Sequence, residues 1–125
     1  MSDKNQLPLV SFEQAQRLKK AGFDWGTIDY YDSDKILLND GQVLNWNCEG
    51  NDKDFIYCCA PSVALALKWV RDIVCRNCGV AFSSYHQKYY ITVYTCAVPL
   101  VDSYDEAESK LLDIVLEEIE RTFAN

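Results

Sequence analysis

The sequence predicts an α+β fold: a mainly antiparallel sheet of about four or five strands, with three helices packed on one face in a two-layer domain. Three segments have the apolar periodicity of helices, and short segments with period-two alternation lie between them. The connections between neighbouring strands are short, which favours antiparallel pairing. A length of 125 residues suits a single domain over residues 1–125, with residues 1–9 as a flexible lead.

The first helix is predicted from Phe12 to Ala21. Ser11 and Gln14 have the spacing of a capping box, in which each side chain accepts a hydrogen bond from the other residue's backbone N–H. Gly22 follows the helix and suits a left-handed C-terminal cap. Both boundaries of this helix are therefore marked by the sequence.

The central helix is predicted over residues 60–74, with Pro61 at a first helical position and a stop at residues 77–79. Trp69 is expected at the edge of its apolar face. At about 100° per residue, the apolar face that covers the sheet contains these residues: Val63, Ala66, Leu67, Val70, Ile73 and Val74.

Two sets of strands are predicted, one on each side of the central helix. In the first, residues 27–31 and 35–38 form a hairpin, and a turn at residues 39–41 leads to a third strand over residues 42–46. Residues 55–59 are either a strand or a buried extended segment. In the second, residues 80–84 and 89–95 form a hairpin, and Pro99 closes the strand region.

The second hairpin contains the candidate interaction surface. Val80 and Phe82 are expected to face the helices, because residues two apart on a strand share a face. The opposite face then presents a row of aromatic rings, which are good contact residues: Tyr85, Tyr90 and Tyr94, joined by Tyr30 or Tyr31 of the first hairpin. We expect a protein partner or a homodimer to bind this sheet face. The alternative is that these rings only cover the sheet.

The last helix begins after a capping box formed by Ser103 and Glu106. It combines a charged outer side with a broad apolar stripe: Tyr104, Ala107, Leu111, Leu112, Val115, Leu116, Ile119 and Phe123. The net charge of the chain is −7, and the segment from Asp102 onward carries most of the acidic excess. An acidic chain repels phosphate backbones, so nucleic-acid binding is not expected.

No apolar run is long enough for a membrane span, and the polar N-terminus lacks a signal-peptide pattern, so a cytoplasmic location without membrane binding is expected. The chain has no phosphate-binding glycine loop, catalytic carboxylate pair or Ser-His-Asp pattern. Neither a catalytic residue nor a cofactor is therefore predicted, and the leading hypothesis is a non-enzymatic accessory or protein-binding domain.

Six cysteines support the alternative hypothesis, a thiol-dependent enzyme or a zinc protein that uses Cys58, Cys59, Cys75 and Cys78. Cys75 and Cys78 form the one CxxC motif, but at a helix C-terminus, where the helix dipole opposes a thiolate. Cys58 and Cys59 precede the central helix, where the dipole favours a thiolate, and His86 is the one histidine available as a base. The simplest interpretation is that these thiols pack as small apolar groups.

Three segments resemble a family of short uncharacterised proteins from Bacteroides-type bacteria and their phages or mobile elements. They are residues 10–23, residues 60–71 and the segment from Ser103 onward, and together they cover about half of the chain. The resemblance lies in helix starts and core stripes. It implies a phage or mobile-element origin and a shared fold, but no catalytic residue.

Overall fold

The computed structural model describes residues 7–47, 57–74, 78–93 and 96–123. In this part of the chain, three helices accompany six strands in two antiparallel sheets of three strands each. The α+β class, the antiparallel pairing and the three helices are confirmed. The strands are divided between two sheets, where the sequence suggested one sheet of four or five strands. The chain divides into two compact units, Met1–Leu65 and Ala66–Asn125, each described by itself below.

The first unit begins with helix α1, Phe12–Ala21, whose bounds agree with the sequence prediction. The Ser11 hydroxyl accepts a hydrogen bond from the Gln14 N–H at 3.1 Å, and Gln14 Oε1 accepts one from the Ser11 N–H at 2.9 Å. Gly22 ends the helix at φ 99°, a left-handed conformation that a side chain would strain. Both predicted caps of α1 are therefore confirmed.

The lead segment is tied to the rest of the first unit at its end. Leu9 forms an isolated antiparallel bridge with Ser62. The Val10 N–H donates to the Pro61 carbonyl at 3.0 Å, and the Val63 N–H donates to the Pro8 carbonyl at 2.9 Å. The end of the lead predicted for residues 1–9 therefore has defined backbone partners, and residues 1–6 lie outside the described residues.

Strands β1, Thr27–Tyr31, and β2, Leu37–Leu44, form the predicted hairpin, but the predicted turn at residues 39–41 is wrong. β2 is one strand that runs through this segment, and the turn residues form a bulge. Asn39 Oδ1 accepts a hydrogen bond from the Gly41 N–H at 2.9 Å, and Gly41 adopts φ 77°. The Asn39–Gly41 hydrogen bond, which is typical of a turn, therefore accommodates extra residues within β2 and does not reverse the direction of the chain.

A two-residue strand, β3 at Cys58–Cys59, pairs with the other side of β1, so the order of the first sheet is β2-β1-β3. Aromatic rings fill the core beside it. Tyr30 stacks on Trp46 with ring centroids 3.8 Å apart, and the Trp46 indole N–H donates to the Thr27 carbonyl at 2.8 Å. Tyr30 is therefore a core residue and not part of an interaction surface.

The central helix is shorter and less regular than predicted. Helix α2 spans Val63–Trp69 and continues as a π-helical turn over Val70–Val74. The Ser62 hydroxyl accepts from the Leu65 N–H at 3.0 Å, so Ser62 caps the helix and Pro61 lies before it, not at a first helical position. The i→i+5 turn rotates less per residue than an α-helix. As a result Ile73, predicted to be buried, is 56% exposed.

The second unit contains the other sheet, in the order β4-β5-β6. β4, Cys78–Ser83, and β5, Lys88–Val93, form the predicted hairpin. The third strand, β6 at Cys96–Val101, corrects the prediction that Pro99 ends the strand region. Pro99 is tolerated because β6 is an edge strand and its register with β5 is irregular there.

Helix α3, Tyr104–Phe123, packs on the second sheet, mainly against β4 and β5. The Ser103 hydroxyl accepts from the Glu106 N–H at 3.1 Å, which confirms the Ser103 half of the predicted capping box. The apolar stripe is buried along most of the helix: Ala107, Leu111, Leu112, Val115, Leu116 and Ile119. Tyr104, which was assigned to this stripe, is instead 48% exposed because it lies at the start of the helix.

Candidate functional site

The tip of the β4–β5 hairpin presents one almost fully exposed aromatic ring. The Tyr85 side chain is 90% exposed, and its ring makes an edge contact with the ring of His86. Tyrosine combines a large apolar area with few rotatable bonds, so it gains contact energy at a low cost in conformational entropy. The Tyr85 ring is therefore accessible for contact with another molecule.

Side-chain hydrogen bonds hold the backbone of this turn. The Ser83 hydroxyl accepts from the His86 N–H at 3.3 Å and also contacts His86 Nδ1 at 3.1 Å. The Gln87 side-chain amide donates to the Ser84 carbonyl at 2.7 Å, and Gln87 adopts φ 56°. The turn is thus organised before any partner arrives, which reduces the ordering cost of binding.

The two faces of the hairpin differ in their contacts. Phe82 lies opposite Tyr89 in the ladder, with ring centroids 5.1 Å apart, and Tyr89 in turn contacts Tyr104 at 5.8 Å. Phe82 was expected to be covered by the helices, yet it is 49% exposed. Tyr90 lies on the opposite face from Tyr89 and is half-buried. Within the β4–β5 hairpin, the exposed aromatic rings are therefore those of Phe82 and Tyr85.

The other tyrosines proposed for the surface do not join it. Tyr94 lies outside the described residues. Tyr30 is buried in the first unit, and the Tyr31 hydroxyl donates to the Val10 carbonyl at 2.7 Å in the same unit. Both first-hairpin rings are used for packing within their own unit, which sequence alternation alone could not distinguish from a surface role.

Cys58 and Cys59 are buried in the first unit. The Cys59 sulfur accepts a hydrogen bond from the Trp46 N–H at 3.1 Å, and the Cys59 N–H donates to Asn47 Oδ1 at 2.9 Å. Burial raises the pKa of the Cys58 thiol, and the nearby Lys19 ammonium only partly opposes this effect. These thiols pack into the core, and a raised pKa lowers the thiolate fraction that a nucleophile needs.

Cys78 begins β4, whereas Cys75 lies outside the described residues. The Arg71 guanidinium, presented by the π-helical turn, hydrogen-bonds the Cys78 side chain. Burial nevertheless raises the pKa of Cys78, and the Arg71 charge acts in the opposite direction with a smaller effect. Among the described residues, no group of three or more His, Cys, Asp or Glu side chains could hold a metal ion.

Helix α3 carries a buried carboxyl group, that of Glu108, which was not predicted from the sequence. Glu108 is only 8% exposed and accepts a hydrogen bond from the Tyr104 hydroxyl. Burial raises the pKa of Glu108, and the Asp105 charge adds to this effect, while the Tyr104 hydrogen bond and Arg71 oppose it. The sequence analysis assigned Glu108 neither to the apolar stripe nor to the charged side of α3, and its position beside the stripe does not by itself show that the carboxyl group is buried.

The first unit also has an apolar groove of about 380 Å³ that was not predicted. Leu7, Ile28 and Val43 line it and are exposed. Its polar groups bond within the chain, since the Thr27 hydroxyl donates to the Asp29 carbonyl at 2.7 Å and Asn39 Nδ2 donates to Asp29 Oδ1 at 3.1 Å. The groove therefore offers mainly apolar contact.

Comparisons with protein-family models, with curated proteins and with solved structures find no match. In the segments that the structure describes, no helix is both long enough and apolar enough to cross a membrane.

Proposed function

We propose that this chain is a non-enzymatic, accessory protein-binding domain of phage or mobile-element origin that recognises its partner through the tip of the β4–β5 hairpin. The observation that carries the proposal is the Tyr85 ring, 90% exposed on a turn whose backbone is held by the Ser83 and Gln87 side chains. Tyrosine is one of the residue types enriched among the hot spots of protein interfaces, and an ordered turn lowers the entropic cost of binding.

The charge of the hairpin also supports protein binding. Lys88 is the one formally charged residue of the segment 78–93, and its ammonium group pairs with the Asp102 carboxylate at 3.3 Å. The net charge of the whole chain is −7, and most of the acidic excess lies in the segment from Asp102 onward. A nearly uncharged aromatic surface on an acidic chain can approach a partner without the repulsion that the other surfaces impose.

A cytoplasmic location belongs to the same proposal. Cys58 and Cys78 are thiols rather than disulfides, which suits a reducing compartment. The alternative hypothesis, a thiol enzyme or zinc protein, gains no support from these two thiols, because burial raises the pKa of both.

The test compares Tyr85→Ala with Val43→Ala, a matched control that removes an exposed apolar side chain from the first unit. A photoreactive phenylalanine analogue is placed at position 85 or 43 of the full chain in cells, and any protein cross-linked from position 85 alone is purified. We expect this protein to bind the wild-type chain at least tenfold more tightly than the Tyr85→Ala variant, and to bind the Val43→Ala variant like the wild type.

Two results would overturn the proposal. One is an identical set of cross-links from positions 85 and 43 together with a monomeric wild-type chain in sedimentation velocity. The other is a specific adduct whose affinity does not change when Tyr85 is replaced by alanine.

A further inference from the structure

We propose that an aromatic row on the second unit, formed by Phe82, Tyr89 and Tyr104, binds a short basic segment of the partner protein. A Lys or Arg side chain of this segment lies beside Tyr104 and the acidic start of α3, and an apolar side chain of the same segment covers Phe82. This inference rests on the proposed protein-binding function and names the chemistry of the partner.

The aromatic row runs from β4 across β5 to the last helix. Phe82 on β4 lies opposite Tyr89 on β5 with ring centroids 5.1 Å apart, and Tyr89 contacts Tyr104 at the start of α3 with centroids 5.8 Å apart. The two end rings are each about half exposed, Phe82 at 49% and Tyr104 at 48%. Another molecule can therefore contact the row at both ends. At about 3.3 Å per residue, an extended segment of about four residues is long enough to do so.

The start of α3 gives one end of the row a negative charge. Residues 102–109 contain four acidic residues and no basic one. Asp105 and Glu106 directly follow Tyr104, and both are exposed. Burial raises the pKa of the Tyr104 hydroxyl, and the neighbouring Glu108 carboxylate adds to this effect. The Tyr104 ring therefore lies in a locally negative environment.

Nearby positive charges do not cancel this negative charge. The Lys88 ammonium pairs with the Asp102 carboxylate at 3.3 Å, and the Arg71 guanidinium opposes the other carboxylates at this end of the row with a smaller effect. Among the described residues, neither Asp105 nor Glu106 forms an ion pair. The helix dipole adds only about half a positive charge at a helix N-terminus, less than the charge of these two carboxylates. A cation from another molecule is therefore attracted to this end of the row.

A basic side chain with an apolar neighbour uses both features of the row. A Lys or Arg cation is attracted to the face of a tyrosine ring, and Arg also forms charge-assisted hydrogen bonds with carboxylates. An acidic segment would be repelled by the start of α3, and a wholly apolar segment would gain nothing from its carboxylates. The exposed half of Phe82 favours an apolar side chain next to the cation. The charge and the exposed rings together therefore point to a basic, partly apolar segment.

Short blocked peptides that contain both Leu and Arg test this inference. The probes are acetyl-Leu-Ala-Arg-amide and acetyl-Leu-Ala-Ala-Arg-amide, and each has a matched control in which uncharged citrulline replaces Arg. The ¹⁵N-labelled full chain is titrated with each peptide at low ionic strength and followed by NMR. We expect at least one arginine peptide to bind at least about fivefold more tightly than its citrulline control. The amide shift changes should be concentrated at positions 82, 89 and 104–106.

Variants of the chain separate the contribution of the ring from that of the charge. Tyr104→Ala should weaken binding of the arginine peptide at least about fivefold, whereas Tyr104→Phe, which keeps the ring, should bind it like the wild type. Asp105→Asn combined with Glu106→Gln should remove the preference for arginine over citrulline. Asp113→Asn combined with Glu117→Gln removes the same charge about two turns further along α3 and should retain the preference. Circular dichroism checks that each variant remains folded.

The outcomes separate this inference from the proposed function. Equal affinity for the arginine and citrulline peptides, or shift changes away from the aromatic row, overturns the inference, while Tyr85-dependent binding of a cross-linked protein would leave the proposed function intact. A Tyr104-dependent dimer of the wild-type chain that excludes the peptides would also overturn it, because the occupant would then be a second copy. Arginine binding at the row with no effect of Tyr85→Ala on any partner would support the inference and contradict the role of the hairpin tip.

Discussion

Replacement of Leu67 and Ile73 by alanine tests the π-helical turn, because the sequence places both residues on one buried face and the structure does not. Leu67 is 1% exposed, whereas Ile73 is 56% exposed. Each substitution removes three carbon atoms, so the two variants are matched in the apolar volume that they lose. A difference in stability therefore reports the difference in burial.

For Leu67→Ala, the lost transfer free energy is about 2.4 kcal/mol, at about 0.8 kcal/mol for each of the three carbon groups. The cavity that remains adds to this cost, which gives a total of about 3–4 kcal/mol, within the range measured for buried leucines. Ile73→Ala should cost less than about 1 kcal/mol, because more than half of the side chain is already in water and alanine has the better helix propensity.

The assay is urea unfolding followed by far-ultraviolet circular dichroism and by tryptophan fluorescence. Coincident transitions from the two probes, with equal m-values, are required before the free energies of unfolding are compared. Equal costs for the two variants, or a larger cost for Ile73→Ala, would refute the assignment of the π-helical turn and restore the regular helix that the sequence suggests.

Three further predictions use side chains with defined contacts. Glu108→Gln should stabilise the protein more at pH 7 than at pH 4, because burial raises the folded-state pKa of Glu108. The stability that the Glu108 carboxyl group contributes is fully present below its unfolded-state pKa and is lost as the pH rises through its folded-state pKa. An equal gain at both pH values in urea melts would contradict this. Cys58 and Cys78 should react with iodoacetamide more slowly in the folded chain than in the urea-unfolded chain at pH 7.5, because burial raises the pKa of both thiols. Rapid labelling of either thiol in the folded chain, or stoichiometric zinc by elemental analysis, would favour the thiol or metal hypothesis. Ser62→Ala should cost about 1 kcal/mol, since its hydroxyl caps α2. No change in the urea midpoint would mean that this cap contributes nothing.

The parts of the fold that were predicted correctly depend on residues close together in the chain. The caps at Ser11 and Ser103 involve a side chain and a backbone group three residues away. The β4–β5 hairpin and the stripe of α3 are likewise periodic patterns within one segment. Such signals are strong because few conformations satisfy them locally.

The candidate site was predicted in part for the same reason. Tyr85 lies in a turn between two alternating segments, and a turn residue is exposed in almost any fold, so its position could be inferred. The sequence pattern does not distinguish Tyr30 from Tyr85, because the burial of Tyr30 depends on stacking with Trp46, sixteen positions later in the chain. The exposure of Phe82 depends on which strands and helices cover its face of the sheet, and no local pattern contains that information.

By itself, therefore, the sequence determined the α+β class, the starts of the first and last helices, the two hairpins and the exposed ring at a hairpin tip. Only the tertiary structure decided that residues 39–41 form a bulge instead of a turn, that Pro99 lies within an edge strand, and that the central helix ends in a π-helical turn. The physical reason for the first two features is that β2 and β6 pair with strands elsewhere in the chain, and this pairing overrides local preference. The π-helical turn has no signature in the apolar periodicity, which predicts a regular α-helix there.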